Sequence, residues 1–478
     1  MSPNDQVVTD SPESPRARFH GGTLVLDGVP RATGPPDAFR WINAKWRCPA
    51  VHYRSVRPWL QQRGIRNHVP RWRSPTLTLH DNRQPHSYQV QALDAWLEAG
   101  CWGSVVLPTG AGKTFLALQA IGRVGVSTLV VVPTLDLLHQ WYACLENGFG
   151  IPVGVWYGQE KRLEPITVTT YPSAWAHAET LGNRFKLLVF DEIHHLPAPS
   201  WHEIALMCAA SYRLGLTATY PEPQPEWEHG AKEQLRPFFS GFGNPAALLD
   251  ELVGPVVYRK HIDDLTGEQL AEYRTQRIRI DLTPEERAAY DAAYGVYTGY
   301  VREARLRERY GPGWWGAFTR LSAYQAQARR AKVAELKLKG IIHQAQGKLD
   351  AFDQLLREHH SQQMLVFTAH NRFAYRISRR HLIPVITHQT KAAERKAILD
   401  DFRAGTYRAI VTTKVLNEGV DVPEAKIAVI LGGSASAREY IQRLGRVLRK
   451  RGNAQALLYE VIARNTVDEG LAQRRRPR

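Results

Sequence analysis

The apolar run Ser104-Val-Val-Leu107 shows no alternation, and the residues after it change period. Leu107-Pro-Thr-Gly-Ala-Gly-Lys-Thr114 is a glycine-rich turn. Phe115-Leu-Ala-Leu-Gln-Ala-Ile121 spaces its apolar residues as one face of a helix. A short continuous apolar run reads as a buried strand, and the spacing that follows reads as an amphipathic helix. The same alternation recurs at Thr128-Leu-Val-Val-Val-Pro133, Pro165-Ile-Thr-Val-Thr-Thr170, Lys186-Leu-Leu-Val-Phe190 and Arg213-Leu-Gly-Leu-Thr217. Helix-length stretches separate these runs, which predicts a parallel sheet with helices on both faces. Ser87-Tyr-Gln-Val-Gln-Ala-Leu93 opens an amphipathic helix ahead of the series.

A second series follows at Met364-Leu-Val-Phe367, Val385-Ile386, Ala409-Ile-Val-Thr412, Ile427-Ala-Val-Ile-Leu431 and Ala456-Leu-Leu-Tyr-Glu460. Between the two, Pro284 to Leu338 is rich in Ala, Arg, Glu, Tyr and Leu and is interrupted at Tyr310-Gly-Pro-Gly-Trp-Trp-Gly316, so it reads as two or more helices with a turn. Near the N-terminus, Thr23-Leu-Val-Leu26 reads as a strand and Val56 to Arg63 as a short helix ended by Gly64. The predicted fold class is therefore α/β: two parallel-sheet domains in tandem, a small N-terminal α+β domain and a helical insertion. The expected boundaries are a disordered tail over 1–18, an N-terminal domain over 19–82, a first sheet domain over 83–258, the insertion over 259–345, a second sheet domain over 346–470 and a basic tail over 471–478. A chain of 478 residues is long enough for each domain to bury its own core.

The net charge of +16 and a pI near 9.7 add a partner to this picture. A balance so basic points to a polyanion, usually nucleic acid, against the alternative of a generally basic, solvated surface. The charge is concentrated between Arg40 and Arg73, which holds nine Lys or Arg and no Asp or Glu. Trp41, Trp46, Tyr53, Trp59 and Trp72 are interleaved with it. Basic residues offset phosphate charge and aromatics stack on bases; the same Trp residues also suit a small core, and both roles are expected. Trp314 and Trp315 on their glycine-flanked loop fit either base contact or packing. Arg302, Arg305 and Arg309 share a helical face, as do Arg329, Lys332 and Lys339.

Cys48, Cys101, Cys144 and Cys208 lie far apart, which gives no zinc or iron–sulfur spacing. A reducing, cytoplasmic setting fits them. No run reaches the ~18 apolar residues of a membrane span, and none resembles a signal peptide.

Candidate chemistry sits at the ends of the apolar runs. Strand, glycine turn and helix is the geometry that cradles phosphate on backbone N–H groups. Gly110 and Gly112 allow close approach, Lys113 reaches the β- and γ-phosphates, and the Thr114 hydroxyl can hold magnesium. The run ending at Phe190 delivers Asp191-Glu-Ile-His194 to the ligand edge of the sheet. Asp191 is expected to bind Mg2+ through water, Glu192 to activate the attacking water, and His194 to lie near the γ-phosphate. In Gln442-Arg-Leu-Gly-Arg-Val-Leu-Arg449, Arg446 and Arg449 are three apart and share a helix face, as suits arginines that reach phosphates held by another domain.

Taken in order, these stretches resemble the motifs of superfamily 2 helicases and translocases across most of residues 83 to 465. Tyr88-Gln89 resembles the adenine-reading Q motif, and Thr109-Gly-Ala-Gly-Lys-Thr114, with Ala111 inside it, resembles motif I. Val132-Pro-Thr-Leu135 and Thr169-Thr-Tyr171 resemble the strand-contacting motifs Ia and Ib. Asp191-Glu-Ile-His194 is a DExH form of motif II, and Leu216-Thr-Ala-Thr219 resembles motif III. Leu365-Val-Phe-Thr368, Thr412 to Pro423 and Gln442 to Arg449 resemble motifs IV, V and VI.

The form of motif VI, and Trp46-Arg-Cys-Pro-Ala50 followed by Tyr53, resemble the xeroderma pigmentosum group B branch of archaea and bacteria. The helical segment resembles that branch's thumb insertion. Tyr220-Pro-Glu-Pro-Gln224 stands where the branch often carries Arg-Glu-Asp, so the strand-separating role of that motif is not implied. The resemblance implies two RecA-like domains, an ATP-dependent DNA helicase or double-stranded DNA translocase acting in repair or remodelling, and ATP and Mg2+ as cofactors. It implies that Gln89 and Thr109 contact nucleotide, that Gly419 and Asp421 sense its ribose side, and that Gln442 lies near the γ-phosphate. DNA is the expected partner of a monomer, with a nuclease or repair protein beside it. An RNA helicase and the motor subunit of a restriction or defence complex remain the alternatives.

Overall fold

The structure is a computed structural model and describes residues 14–198, 200–221, 244–265, 273–413, 425–432 and 456–474. Two compact units result, the first carrying two sheets and the second carrying one.

The N-terminal sheet has β1 (Arg16–His20), β2 (Thr23–Asp27), β3 (Arg40–Ile42), β4 (Lys45–Pro49) and β5 (Arg66–His68), in the order β3-β4-β2-β1-β5. β1 begins inside the stretch expected to be a tail. Two tight hairpins set its register. Gly21 and Gly22 join β1 to β2 with φ of +54° and +73°, and Asn43 and Ala44 join β3 to β4 with φ of +48° and +58°. Positive φ at both central residues is the two-residue turn whose twist matches paired strands. Four of the five strands carry Arg, Lys or His on exposed or half-buried positions, so only β2 showed a clean apolar run. Leu24, Leu26, Cys48, Tyr53, Val56 and Leu60 form the core beneath them, with Trp46, Trp59 and Trp72 packed at its margin.

The first parallel sheet holds β6 (Trp102–Val106), β7 (Thr128–Val132), β8 (Gly154–Tyr157), β9 (Glu160–Arg162), β10 (Ile166–Thr170), β11 (Leu187–Asp191), β12 (Tyr212–Thr217) and β13 (Val256–Arg259). The order is β13-β6-β12-β11-β7-β10-β8-β9, parallel except for the β8–β9 hairpin at one edge. β7, β10 and β11 are buried along their whole length, which is why they read as unbroken apolar runs. In register, Asp191 of β11 lies beside Leu216 of β12, and Leu216 beside Val105 of β6. The ends of β6 and β11 therefore share the C-terminal edge of the sheet.

The N-terminal module covers the opposite edge. Arg54 Nη1 donates to Gly100 O (3.0 Å) and Ser211 O (3.2 Å), just ahead of β6 and β12, and its guanidinium lies 5.1 Å from the centre of the Trp102 ring. Asn183 Nδ2 donates to Val69 O (2.8 Å) and Asn183 O accepts from Arg71 N (2.9 Å). Ala209 packs into the module's core, and Val51 packs into the core of the parallel sheet. The module and this sheet share one buried seam.

The second unit is built on β14 (Tyr273–Ile280), β15 (Met364–Phe367), β16 (Val385–Ile386), β17 (Ala409–Thr412), β18 (Ile427–Ile430) and β19 (Ala456–Ala463), all parallel in the order β14-β19-β18-β15-β17-β16. β14 departs from the expected helical insertion over 259–345. Its arginines and glutamine mask a strand signal, yet it pairs with β19 over its full length. The helix Pro284–Glu303 starts at a capping box in which Thr283 and Glu286 bond each other's backbone N–H. It packs with Trp314–Tyr324 and Ala326–Gln344 around Phe318, and Trp315 lies against that ring. Lys332 and Lys339 both pair with Glu335, so two of the cations on the helical face named above share one carboxylate within their own helix.

Candidate active site

The glycine turn leaves the C-terminal end of β6, and the helix Lys113–Val124 begins at its far side. Gly110 and Gly112 adopt φ of +88° and +76°, conformations that cost little only without a Cβ. Ala111 N donates to Pro108 O (3.2 Å) and closes the turn. Lys113 Nζ folds back on its own loop toward Leu107 O (3.3 Å) and Pro108 O (3.5 Å). Thr109 Oγ1 is buried with no hydrogen-bond partner among the described residues. The first N–H groups of a helix have no partner within it. An orphaned hydroxyl, a lysine resting on weak carbonyl contacts and a helix N-terminus fit a phosphate chain.

Asp191 and Glu192 are both buried at the end of β11. The Asp191 carboxylate accepts from Trp141 Nε1 on one oxygen (2.8 Å) and from Glu192 N on the other (3.0 Å), and its main-chain oxygen accepts from the Tyr171 hydroxyl (3.1 Å). Burial pushes the Tyr171 phenol well above its ordinary pKa, and Asp191 and Glu192 push it further, so it remains a neutral donor.

Glu192 takes φ +49°, a left-handed conformation for a residue with a side chain. Such strain costs on the order of 1–3 kcal/mol and persists where surrounding contacts impose it. Those contacts are present: Thr217 Oγ1 lies 3.4 Å from Glu192 Oε2, and His194 Nδ1 lies 2.9 Å from Thr217 Oγ1 and 3.3 Å from Glu192 Oε2. Thr217 is fixed in turn by Thr219 N, which donates to its hydroxyl (3.1 Å). The arrangement can hold a carboxylate in one orientation at the edge of the sheet.

Gln89 caps the helix Ser87–Glu98, its Oε1 accepting from His86 N (2.9 Å). Tyr88 beside it stacks on His86 at 5.6 Å. Gly419, Asp421, Gln442, Arg446 and Arg449 lie outside the described residues, as does the last part of the stretch after motif III. Sequence reasoning missed Trp141 and gave Thr217 no part in holding Glu192. Trp141 sits in the middle of the helix Leu135–Phe149, and only the fold brings its indole to Asp191, so no local signal could have found it.

Residues 82–222 match the family model described as Type III restriction enzyme, res subunit, and residues 347–451 match that of the helicase conserved C-terminal domain. The chain is 39% identical over 96% of its length, and 99% of the relative's, to the DNA 3'-5' translocase XPB2 of Sulfurisphaera tokodaii. It is 29% identical over 84% of its length, and 64% of the relative's, to the DNA 3'-5' helicase XPB of Mycobacterium tuberculosis. A subunit of the general transcription and DNA repair factor IIH in Arabidopsis thaliana is 24% identical over 86% of the chain and 49% of the relative. Among the described residues no helix is long and apolar enough to cross a membrane. With an ordered phosphate turn, an oriented Asp-Glu pair and a full-length relative at 39% identity, the chain belongs to the XPB family of superfamily 2 helicases and translocases.

Proposed function

We propose that the chain is an ATP-driven DNA translocase or helicase, and that the 3'–5' direction in its relatives' names holds for it. The observation that carries this reading is Glu192, buried and held at positive φ with Thr217 and His194 on its carboxylate. A general base must keep its lone pair aimed at one water, and this is what the strained backbone and the two side chains provide. Gly110, Gly112 and the helix N-terminus at Lys113 cradle the phosphates, and Lys113 leaves its loop carbonyls for them. Thr114 and Asp191 supply the oxygens for magnesium, which when bound would neutralise phosphate charge and polarise the γ-phosphoryl group. Trp141 and the Glu192 N–H keep the Asp191 oxygens in place for that role. Arg446 and Arg449 serve as the arginines that meet charge on the transferring group, Gln442 lies beside them, and Gly419 and Asp421 register the ribose side. Gln89 reads the base in addition to capping its helix. ATP and DNA favour the same state, so each raises affinity for the other.

The test is ATPase stimulation by duplex DNA, single-stranded DNA and RNA of matched length. DNA is expected to stimulate more than RNA. Stronger stimulation by RNA, or none by any polymer, would overturn the reading.

A further inference from the structure

The N-terminal ends of β7, β10 and β11 border an open cleft of about 340 Å³, counting the space open to solvent. Arg71, Arg73 and Arg184 line it with Ser127 and Phe185, and Glu164 is its single carboxylate among the described residues. Arg71 and Arg73 come from the chain leaving the N-terminal module, whereas Arg184 immediately precedes β11. The Asn183 clamp on Val69 O and Arg71 N brings these stretches together. Trp72, between the two arginines, is held edge-on by Tyr53 at 5.7 Å and faces Lys186 at 5.8 Å, which adds a further cation to this side.

No ion pair or side-chain hydrogen bond ties down any of the three guanidinium groups among the described residues. Arg184 Nε is buried with no partner. Like charges gathered around one cleft repel, and a buried donor without an acceptor is costly. Both penalties are relieved by an anion with several oxygens, which guanidinium groups bind in bidentate fashion. The cleft lies at the sheet edge opposite the phosphate turn, so it is not part of the nucleotide site.

We propose that this cleft is a second phosphate site and that it holds a backbone phosphodiester of DNA, anchoring the strand at the seam between the N-terminal module and the first parallel sheet. The proposal rests on the DNA-translocase reading. Arg57, Arg63 and Arg66 are also exposed on the same module.

The experiment measures duplex DNA affinity against salt for the full chain and for Arg184→Glu, Arg184→Lys and Arg71→Ala/Arg73→Ala. Loss of one phosphate contact lowers the slope of log K against log salt by about 0.9 on duplex DNA. Arg184→Glu and the double variant are expected to lose about that much, with DNA-independent ATPase unchanged and a melting temperature at or above that of wild type, and Arg184→Lys to retain most of the wild-type slope. Unchanged slopes in both charge-removing variants would overturn the proposal. So would a melting-temperature rise with millimolar inorganic phosphate in wild type but not in Arg184→Glu while the DNA slope stays equal, because the site would then serve small phosphates. A wild-type chain that binds no DNA would sink the translocase reading itself, an outcome distinct from equal slopes.

Discussion

The two edges of the first parallel sheet handle charge in opposite ways. At the C-terminal edge the charges are the carboxylates of Asp191 and Glu192, and the chain itself places polar groups on each: Trp141 and a main-chain N–H donate to Asp191, and Thr217 and His194 lie within 3.4 Å of Glu192. At the N-terminal edge the charges are arginines. Arg213 is fully buried and donates to the main-chain oxygens of Leu252, Ala205 and Cys208, and Arg54 donates to Gly100 O and Ser211 O. Burial pulls the Arg213 pKa down to about 10, which leaves it charged at neutral pH. Among the described residues Arg71, Arg73 and Arg184 have no such acceptors. A carboxylate needs few donors and can be aimed by them, which suits chemistry. A guanidinium carries five N–H groups, so a cluster outruns the acceptors at hand and its surplus faces outward, which suits holding an anion.

This comparison predicts that damage at one edge changes turnover, and damage at the other changes DNA grip or stability. Glu192→Gln carries the largest effect: turnover should fall by at least ~10²-fold, the usual scale for a removed general base. Nucleotide affinity and the salt slope of DNA binding should stay near wild type. Steady-state ATPase with fluorescent-nucleotide binding checks this, and near-normal turnover would place the base elsewhere.

Thr217→Val keeps shape but removes the hydroxyl between Glu192 and His194. A hydrogen bond to a charged group contributes about 1.5–3 kcal/mol, so kcat should drop roughly tenfold or more with KM for ATP little changed. An equal rise in KM would mean that Thr217 supports binding and not orientation of the base.

At the other edge, Arg54→Ala leaves Gly100 O and Ser211 O without their donor. A loss of about 1–3 kcal/mol in stability is expected, read by denaturant melts, while turnover per folded molecule is preserved. A chain starting near Asn82, which lacks the N-terminal module, should bind DNA more weakly. Such a chain should also be less stable, because Ala209 and the partners of Val51 lose their cover.

The smallest effect concerns acid. Burial pushes the pKa of Asp27 up, but hydrogen bonds from Lys45 (2.6 Å) and Arg18 (2.7 Å) outweigh it, and the net shift is downward. A carboxylate with a lowered folded pKa contributes stability above its unfolded value of 3.8, and that contribution is lost as pH falls through the lower folded value. Asp27→Asn should therefore melt below wild type at pH 7, with the gap closing under about pH 4. A gap that does not narrow as pH falls below about 4 would contradict the assignment.

Much of the fold was legible because parallel strands buried on both faces read as apolar runs. β15, β16 and β17 begin and end where that pattern places them. Apart from β2, the strands of the N-terminal module were not legible, nor was β14, since each is only partly buried and its basic residues hide the alternation. The phosphate turn and Asp191-Glu-Ile-His194 were legible as local chemistry.

By itself, then, the sequence determined the parallel-sheet architecture, the order of its motifs and the residue types gathered at the strand ends. Periodicity and turn chemistry act over a few residues, and those features need nothing more. Only the tertiary structure decided which distant side chains support them. Trp141 reaches Asp191 and Thr217 reaches Glu192 because β11, β12 and the helix after β7 pack in one order. Arg184 meets Arg71 and Arg73 because the N-terminal module seats on one edge of that sheet. Such convergence depends on pairing between segments far apart in the chain, and no short window of residues records it.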